Sequence, residues 1–492
     1  MSPSDQQIPH LTPSTNNSWK RVFAGRLALY TIVLNLAIGL FALDTLVITT
    51  VMPTVVGDIG GTEYYSWTIM LYMVGSIIGA ASAGPIKQLF GRRRGYIYAG
   101  FLFVIGNLGV SLSPTMFILV LWRLLEGLGG GLMIAQSYGM VGDFYPKELR
   151  VRILSVISTT WGVATVIGPA FGGLFAELGV WRAAFWTLIP FGLMFCMLAR
   201  WIIPPSASSD YRPGLWKSLP LIRLSSLGGS ILCIGYTSQI SSNNWRLVLV
   251  LAAITLAVYA FQRDARAPSP MFPPDTLVIL SPLGSAYWIM LLVTMVFNFA
   301  ILFATLYLQV LHNQTPIVAA YLTAAMSFSW TAAGILVSGL QGRVIWLSIF
   351  SGVVSILFGS VVLALGATSS VILFPIAGLV LVGTGMGLAN GHLVALSILA
   401  GPEGQESLAG SSVQTMRTLG TGFGAAAAGL FANAGGLADA GIISNASGEI
   451  QAANPALVIS AIDWVHRGEV ILAATAVAVT VVFFVKGRLL TR

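Results

Sequence analysis

The sequence has few charged residues for its length. Only 9% of the 492 residues are Asp, Glu, Lys or Arg, whereas 56% are hydrophobic. An ordinary soluble domain carries about 25% charged residues. A soluble fold of this length would lack polar surface, so the composition predicts an integral membrane protein. The net charge of +8 is explained by the positions of the basic loops, and no nucleic-acid partner is predicted.

Cysteine and histidine are scarce as well. Cys196 and Cys233 both fall in apolar runs, which excludes a disulfide framework or a CxxC metal site. The four histidines lack ligand spacing, so no metal is predicted. No Walker A sequence is present, and the GxGxxA match at 420–425 follows no strand, so no nucleotide cofactor is predicted. No nucleophile, base and orienting group occur together, which argues against an enzyme.

Long apolar runs dominate the chain. Crossing about 30 Å of hydrocarbon takes about 20 residues, and fourteen runs qualify as candidates. They are Leu27–Val51, Ser66–Ile86, Gly95–Leu112, Thr115–Met140, Ile153–Phe175, Ala183–Ile203, Leu219–Ile240, Leu247–Phe261, Gly284–Leu311, Ile317–Leu340, Val344–Leu365, Val371–Ala400, Leu408–Phe431 and Val470–Val485. The eighth run is the shortest.

The distribution of lysine and arginine tests this count, because cytoplasmic loops carry an excess of both. We place the N-terminus in the cytoplasm and let the runs alternate. Arg182, Arg246 and Arg467 then lie outside, and Arg123 and Arg417 lie within helices, while every other Lys and Arg lies on the cytoplasmic side. Dropping one helix would spoil this bias. The sequence therefore predicts fourteen helices with both termini in the cytoplasm.

The runs group into two halves around a central pair, an arrangement that suggests an internal repeat. The predicted fold class is an all-α membrane protein. Its 54 glycines are expected to let helices pack closely. The predicted parts are a disordered cytoplasmic tail (1–19), an N-terminal six-helix bundle (20–203), two linker helices with flanking cytoplasmic loops (204–282) and a C-terminal six-helix bundle (283–492).

The stretch from Gly84 to Arg94 ends one apolar run, turns on a glycine and places three arginines before the next run. It resembles the G-x-L-A-D-R-x-G-R-K-x signature between helices 2 and 3 of the major facilitator superfamily. The matching residues are Gly84, Ile86, Gly91, Arg92 and Arg93. Gln88 stands at the aspartate position and Leu89 at the first arginine position, so the sequence departs from the pattern there.

Further matches resemble one branch of that superfamily, the fourteen-helix drug/proton antiporters. They are Leu43-Asp44 with Pro53 in helix 1, Arg123 to Gly129 in helix 4, Gly168, Pro169, Gly172 and Gly173 in helix 5, Trp181-Arg182 at helix 6, and Arg417 to Gly420 in helix 13. The resemblance implies two six-helix halves that give alternating access to a central cavity. In the family, the Gly84–Arg94 loop also stabilises one conformation, and Gln88 implies a weaker, less pH-sensitive latch.

Three ionisable residues lie inside predicted helices, where charge is expensive and often functional. Asp44 is a candidate site for a proton or a cationic substrate, or else a salt bridge near the outer rim. Arg123 and Glu126 share a helix face. They either neutralise each other to hold the helix in register or form a proton relay in which Glu126 alternates between Arg123 and a proton.

Other polar residues concentrate in the helices that would line the cavity. These are Asn35, Asn298, Asn390 and His392, and they are the candidate substrate-cavity residues. His392 is either a titrating group or a hydrogen-bonded packing residue. Gly168 and Pro169 are expected to bend helix 5 or to let helix 8 approach closely.

These observations predict a proton-coupled antiporter that exports small amphipathic or cationic compounds, driven through Glu126 and Asp44. Its expected partners are the substrate, protons and the lipid bilayer, and it is expected to be monomeric in a bacterial inner membrane. The sequons at Asn313 and Asn445 leave a eukaryotic host open. Two alternatives remain open: a dedicated transporter of a metabolite, siderophore or lipid on the same fold, and a transport-inactive sensor or scaffold.

Overall fold

The chain folds almost entirely into helices. The computed structural model describes residues 18–205, 220–240, 242–267, 270–340, 342–400, 406–444 and 450–490, so most of the predicted tail and of the linker at 204–219 lies outside the described residues. The helices are α1 Ser18–Val22, α2 Gly25–Ile59, α3 Trp67–Ser111, α4 Met116–Phe144, α5 Lys147–Glu177, α6 Trp181–Ile202, α7 Leu221–Thr237, α8 Asn243–Ala265, α9 Pro282–Leu302, α10 Ala304–Val310, α11 Pro316–Val337, α12 Arg343–Gly366, α13 Leu373–Leu399, α14 Glu406–Ala434 and α15 Pro455–Leu490.

Within the described residues, eleven helices are long and apolar enough to cross a membrane. They account for twelve of the predicted runs, because α3 contains the second and the third. The seventh run forms the short apolar helix α7. The thirteenth forms α14, whose many Gly, Ala, Ser and Thr residues keep it below the hydropathy of a typical span. The eighth run is longer than predicted, since α8 has 23 residues.

Helix α3 is one continuous element by hydrogen bonding, yet it consists of two segments separated by Gly91 (φ 78°, ψ 161°). Facing pairs between α3 and α4 are Gly75–Leu124, Gly79–Leu128, Gly95–Gln136, Gly106–Glu126 and Gly109–Trp122. The residue numbers of the α4 partners increase along the first segment of α3 and decrease along the second. The chain therefore reverses at Gly91, where the left-handed φ favours glycine. The predicted loop at 84–94 is helical except at this residue.

Glycines bring the backbones of α3 and α4 into direct contact. A Cβ at Gly127 would lie 2.0 Å from the carbonyl oxygen of Tyr72, and one at Gly131 would lie 2.1 Å from that of Ser76. Such distances leave no space for a larger residue. Because close approach maximises van der Waals contact where no hydrophobic force drives helices together in lipid, these glycines hold α3 and α4 together as one unit.

The helices pack in two groups. In the first, α2 packs on α5 and α3 packs on α4 and α6; in the second, α9 packs on α14 and α15, and α13 packs on α11 and α12. The groups meet where α5 contacts α11 and where α3 contacts α14. Helices α7 and α8 pack on each other, and α7 also contacts α3 and α14. The outer faces of these helices are apolar, as on α8, where Leu247 is 60% exposed, which suits a lipid-facing surface.

The last helix differs from its prediction. It begins at Pro455, fifteen residues before the predicted start at Val470, because the hydropathy signal is interrupted by polar residues that the fold pairs internally. A short antiparallel hairpin precedes it, with β1 (Ile442–Ser444) paired to β2 (Ile450–Ala452) in the register Ile442–Ala452. This hairpin is a small exception to the predicted all-α fold.

A buried charge cluster as the candidate functional site

Asp44, Arg123 and Glu126 meet in the interior of the first helix group. One nitrogen of Arg123, Nη1, donates to Asp44 Oδ2 at 2.9 Å, to Asp44 Oδ1 at 3.0 Å and to Glu126 Oε2 at 2.6 Å. All three residues are fully buried. Arg123 and Glu126 are three residues apart on α4, whereas Asp44 comes from α2. The structure thus brings all three predicted coupling residues into one cluster.

Helix α3 also contacts the side chain of Arg123. The carbonyl oxygen of Thr68 accepts from Nε of Arg123 at 3.4 Å, and the guanidinium lies 4.1 Å from the centre of the Tyr72 ring. A cation over an aromatic face gains about 0.5–2 kcal/mol, with the larger values in dry sites. The position of Tyr72 is fixed because its backbone touches Gly127. Tyr72 and Thr68 therefore border the space in which the two carboxylates compete for the guanidinium.

The cluster has one more acid than base. With both carboxylates ionised its net charge is −1, and with one proton bound it is neutral. An uncompensated charge in a dry interior costs several kcal/mol, so this arrangement favours one bound proton. Within the described residues, no side-chain or backbone donor reaches Oε1 of Glu126, so this oxygen is available for protonation.

Asp44 lies deeper than the sequence suggested. Helix α2 continues to Ile59, eight residues past the predicted end at Val51. Asp44 is therefore fifteen residues, or about 22 Å at 1.5 Å per residue, from the end of its helix. The predicted end of this helix at Val51 is wrong, because the helix continues through Pro53.

Two of the four predicted cavity residues make hydrogen bonds to neighbouring helices. Asn35 donates to Thr31 O at 2.8 Å and accepts from Thr160 of α5 at 2.7 Å. Asn298 donates to Thr294 O at 2.9 Å and to Thr421 of α14 at 3.3 Å. Both asparagines thus tie neighbouring helices of the same group together.

On α13, Oδ1 of Asn390 and Nε2 of His392 are buried and have no hydrogen-bond partner among the described residues. Unsatisfied polar atoms of this kind are uncommon in native interiors. Asn390 and His392 therefore remain better candidates for substrate contact than Asn35 and Asn298.

The basic stretch is tied to the end of α4. Asp143 pairs with Lys87 at 2.7 Å and with Arg92 at 2.8 Å, and Arg92 lies 4.5 Å over the ring of Phe144. Thus α4 supplies the carboxylate that Gln88 does not. Gly84, Gln136 and Gly139 line a cleft of about 210 Å³ beside these residues. Arg93 has no ion pair among the described residues.

The glycine-proline motif of α5 packs against two helices. A Cβ at Gly168 would lie 2.7 Å from Cβ of Leu46 in α2, and one at Gly173 would lie 2.6 Å from Cγ1 of Ile317 in α11. Gly172 likewise faces Thr50 of α2. The close neighbours are the first and tenth predicted helices rather than the eighth. Helix α5 continues through Pro169.

The two helix groups are joined at the end of the bundle where α2 leads into α3, which we call the closed end. Its contacts are Thr305 Oγ1 to Thr49 O at 2.9 Å, Asn433 Nδ2 to Glu63 O at 3.1 Å, Ile317 N to Glu177 Oε1 at 3.2 Å and the rings of Tyr65 and Phe303 at 5.0 Å. Each of the three hydrogen bonds joins a backbone group of one helix group to a side chain of the other. Separating the groups at this end requires their loss.

Sequence reasoning missed a second buried cluster, in the last helix. Glu469 Oε2 lies 2.6 Å from His466 Nδ1, and Glu469 Oε1 accepts from Ser360 of α12 at 2.8 Å. Both α15 residues are buried. His466 and Glu469 are three residues apart, and this spacing places two residues on the same face of a helix. It was not used because the predicted helix began after them.

Known proteins show the same overall organisation. The model of the Major Facilitator Superfamily matches residues 34–425. A probable multidrug-efflux transporter of Mycobacterium tuberculosis is 29% identical over 440 residues, covering 86% of this chain and 91% of the relative. The multidrug resistance protein Stp of the same species is 24% identical, covering 80% and 74%.

Solved structures share the fold. A POT family transporter in complex with 5-aminolevulinic acid superposes with a TM-score of 0.65 at 11% identity, covering 94% of this chain and 96% of that one. An inward-facing, unoccupied bacterial homologue of the human lysosomal transporter Spinster gives 0.60 at 15% identity, covering 94% and 97%. With the family model spanning most of its helices, the chain belongs to the Major Facilitator Superfamily, a family of membrane transporters rather than enzymes.

Proposed function

We propose that this transporter is a proton-coupled antiporter that exports small amphipathic or cationic compounds from the cell by alternating access. The relatives named multidrug-efflux transporters support drug export. The observation that carries proton coupling is the cluster of Asp44, Arg123 and Glu126, in which two carboxylates compete for one buried guanidinium. Such a cluster changes its hydrogen bonds when it gains or loses a single proton.

The proposed cycle uses this competition. With a proton on Glu126, Arg123 pairs with Asp44 alone and α2 is held against α4. When the proton leaves, Glu126 draws the guanidinium toward itself, and the Asp44 pair that links the two helices weakens. Because α3 and α4 form one unit, the change is transmitted as a movement of α2 relative to that unit. Proton entry from outside would thereby favour one orientation of the cavity and proton release inside the other.

The proposed topology has fourteen spans and both termini in the cytoplasm of a bacterial cell with the transporter in its inner membrane. The reversal at Gly91 supports two spans within α3, and α7 and α14 supply the remaining two. The proposed domains are the bundles 20–203 and 283–492, with 204–282 inserted between them. The paired helices α7 and α8 support the inserted unit. We propose that the protein acts as a monomer.

We propose that the connection between α2 and α3 lies outside the cell. The closed end then seals the transporter from the exterior, and this conformation opens to the cytoplasm. The basic stretch then lies on the cytoplasmic side, as the distribution of Lys and Arg requires. The orientation can be tested by labelling cysteines introduced near Asp58 and Asp143 from each side of the membrane.

Proteoliposomes with an imposed pH gradient test the proposed function. We expect cations and amphipathic compounds to release protons from the vesicles in a protein-dependent way, and unrelated metabolites to release none. Proton release with a single metabolite and none with drugs would favour the dedicated transporter. The absence of proton flux with every compound, together with unchanged stability on adding them, would favour the sensor or scaffold.

Replacing Gln88 with Asp is expected to strengthen the cytoplasmic latch. Position 88 precedes Arg92 by four residues across the reversal at Gly91, in the stretch where Asp143 already holds Arg92 at 2.8 Å. A further acid near these arginines adds about 0.2–1 kcal/mol at an exposed site. We therefore expect a shift of less than tenfold toward the state that is closed to the cytoplasm, measured as cytoplasmic accessibility of an introduced cysteine. Gln88→Asn serves as the uncharged control. Equal accessibility and transport in both variants would show that the latch does not depend on this charge.

A further inference from the structure

Arg417 is a membrane-embedded arginine that the proposed proton cycle does not use. It lies in α14, eleven residues from the start of that helix, and is only partly exposed. Within the described residues it makes no ion pair, and its buried Nε has no acceptor. By contrast, Arg123 has two carboxylates and Arg223 pairs with Asp264. A guanidinium in this environment needs a counter-charge.

Aromatic groups surround Arg417 instead of acids. Its guanidinium lies 5.4 Å from the centre of the Trp330 ring on α11, and Trp330 contacts Phe297 of α9 edge to face at 5.2 Å. One turn along α14, Thr421 accepts from Asn298. These five side chains, which we call the shelf, provide an aromatic wall, a positive charge and a neutral polar edge.

The shelf faces the other half of the protein. Tyr138 of α4 interacts electrostatically with Arg417, and its side chain is 42% exposed. Arg417 therefore lies between the two helix groups, on the side of the membrane toward which the proposed structure opens. In the proposed cytoplasm-open state, a compound that enters from the cytoplasm meets the partly exposed side chain of Arg417. The carboxylates of Asp44 and Glu126 are fully buried and hold their own guanidinium.

The cost of a charge within a transmembrane helix indicates that Arg417 binds a ligand. Charged residues within transmembrane segments are costly and mark substrate or ion pathways. The cation–π contact recovers only about 0.5–2 kcal/mol. A carboxylate that engages the guanidinium through two parallel N–H donors would supply the missing charge and the missing acceptor together. Trp330 would stack on a ring attached to that carboxylate.

We propose that Arg417 and Trp330 form a substrate subsite for aromatic compounds that carry a carboxylate, including zwitterions. This inference rests on the proposed export function and deepens it by assigning a substrate class. Arg417 gives this subsite a positive charge, so an acidic group on the substrate is favoured even though the compound as a whole is amphipathic. A cationic group on the same molecule would lie away from Arg417.

Purified protein and proteoliposomes test the subsite with a matched pair of ligands, an aromatic carboxylic acid and its methyl ester. Binding to protein in detergent and counterflow without an imposed gradient are both measured, because neither depends on proton coupling. We expect the wild type to bind the acid at least tenfold more tightly than the ester, since a hydrogen-bonded charge pair contributes about 1.5–3 kcal/mol.

Arg417→Gln is expected to remove this preference, weakening acid binding at least tenfold and leaving ester binding within about twofold. Arg417→Lys keeps the charge without the planar fork and should be intermediate. Arg200→Gln, at the exposed end of α6, is the matched control and should behave as wild type.

Three results would overturn the subsite: equal binding of acid and ester by the wild type, equal weakening of both by Arg417→Gln, or no effect of that substitution. The proposed export function fails differently. If the acid is preferred through Arg417 and exchanges in counterflow, yet releases no protons under a gradient, proton coupling is wrong while the subsite stands.

Discussion

Glu126→Gln is expected to abolish proton-coupled efflux while leaving the protein folded. Glutamine has nearly the same shape and still accepts from Arg123 through its amide oxygen, but it cannot bind or release a proton. The cluster is then fixed in its neutral state, with Asp44 as the only counter-charge of Arg123. We expect substrate-dependent proton release to fall to the level of protein-free vesicles.

Counterflow of an already bound substrate should persist in this variant, because exchange needs reorientation of the loaded carrier and no net proton movement. Glu63→Gln is the matched control, since Glu63 lies at the closed end and only its backbone carbonyl makes the contacts described there. It should retain full proton release. Normal pH-driven efflux in Glu126→Gln would refute the proposed relay.

Arg123→Met is expected to have the largest effect on stability. The substitution leaves Asp44 and Glu126 buried with no cation, and breaking a buried ion pair by removing one partner costs about 3–5 kcal/mol. It also removes the cation over Tyr72 and the bond to Thr68. We expect a clear drop in the thermal unfolding temperature of the purified protein and loss of transport.

A rescue experiment separates charge from packing. Adding Asp44→Asn and Glu126→Gln to Arg123→Met removes every charge from the cluster, and neutral residues in place of a buried ionic cluster are often tolerated. We expect the triple variant to regain most of the lost thermal stability without regaining proton coupling. If Arg123→Met is as stable as wild type, the carboxylates are not paired as the structure shows.

The sequence predicted much of the first helix group and part of its site. Arg123 and Glu126 share a face because they are three residues apart on a helix, which is a local property. That Asp44 reaches the same guanidinium is a tertiary fact, since 79 residues separate it from Arg123.

The misses have a common physical origin. A hydropathy pattern ends an apolar run at each polar residue. In the folded protein, hydrogen bonds and ion pairs offset the cost of burying that residue. The start of α15 was placed after Glu469 for this reason, although His466 and Ser360 satisfy its carboxylate. Asn35 and Asn298 each form a hydrogen bond with a threonine on an adjacent helix, and hydropathy identifies neither partner. Pairing between helices leaves no trace in a single sequence.

The backbone contact between α3 and α4 has a mechanical consequence. Two helices separated by ordinary side chains slide by exchanging rotamers, but Gly127 against the Tyr72 carbonyl has no side chain to rearrange. Helices α3 and α4 therefore do not slide past each other and move as one rigid body. Tyr72 lies at the contact between the two helices, and Arg123 lies one turn from Gly127 on α4. A displacement of Arg123 relative to α2 therefore moves α3 and α4 together.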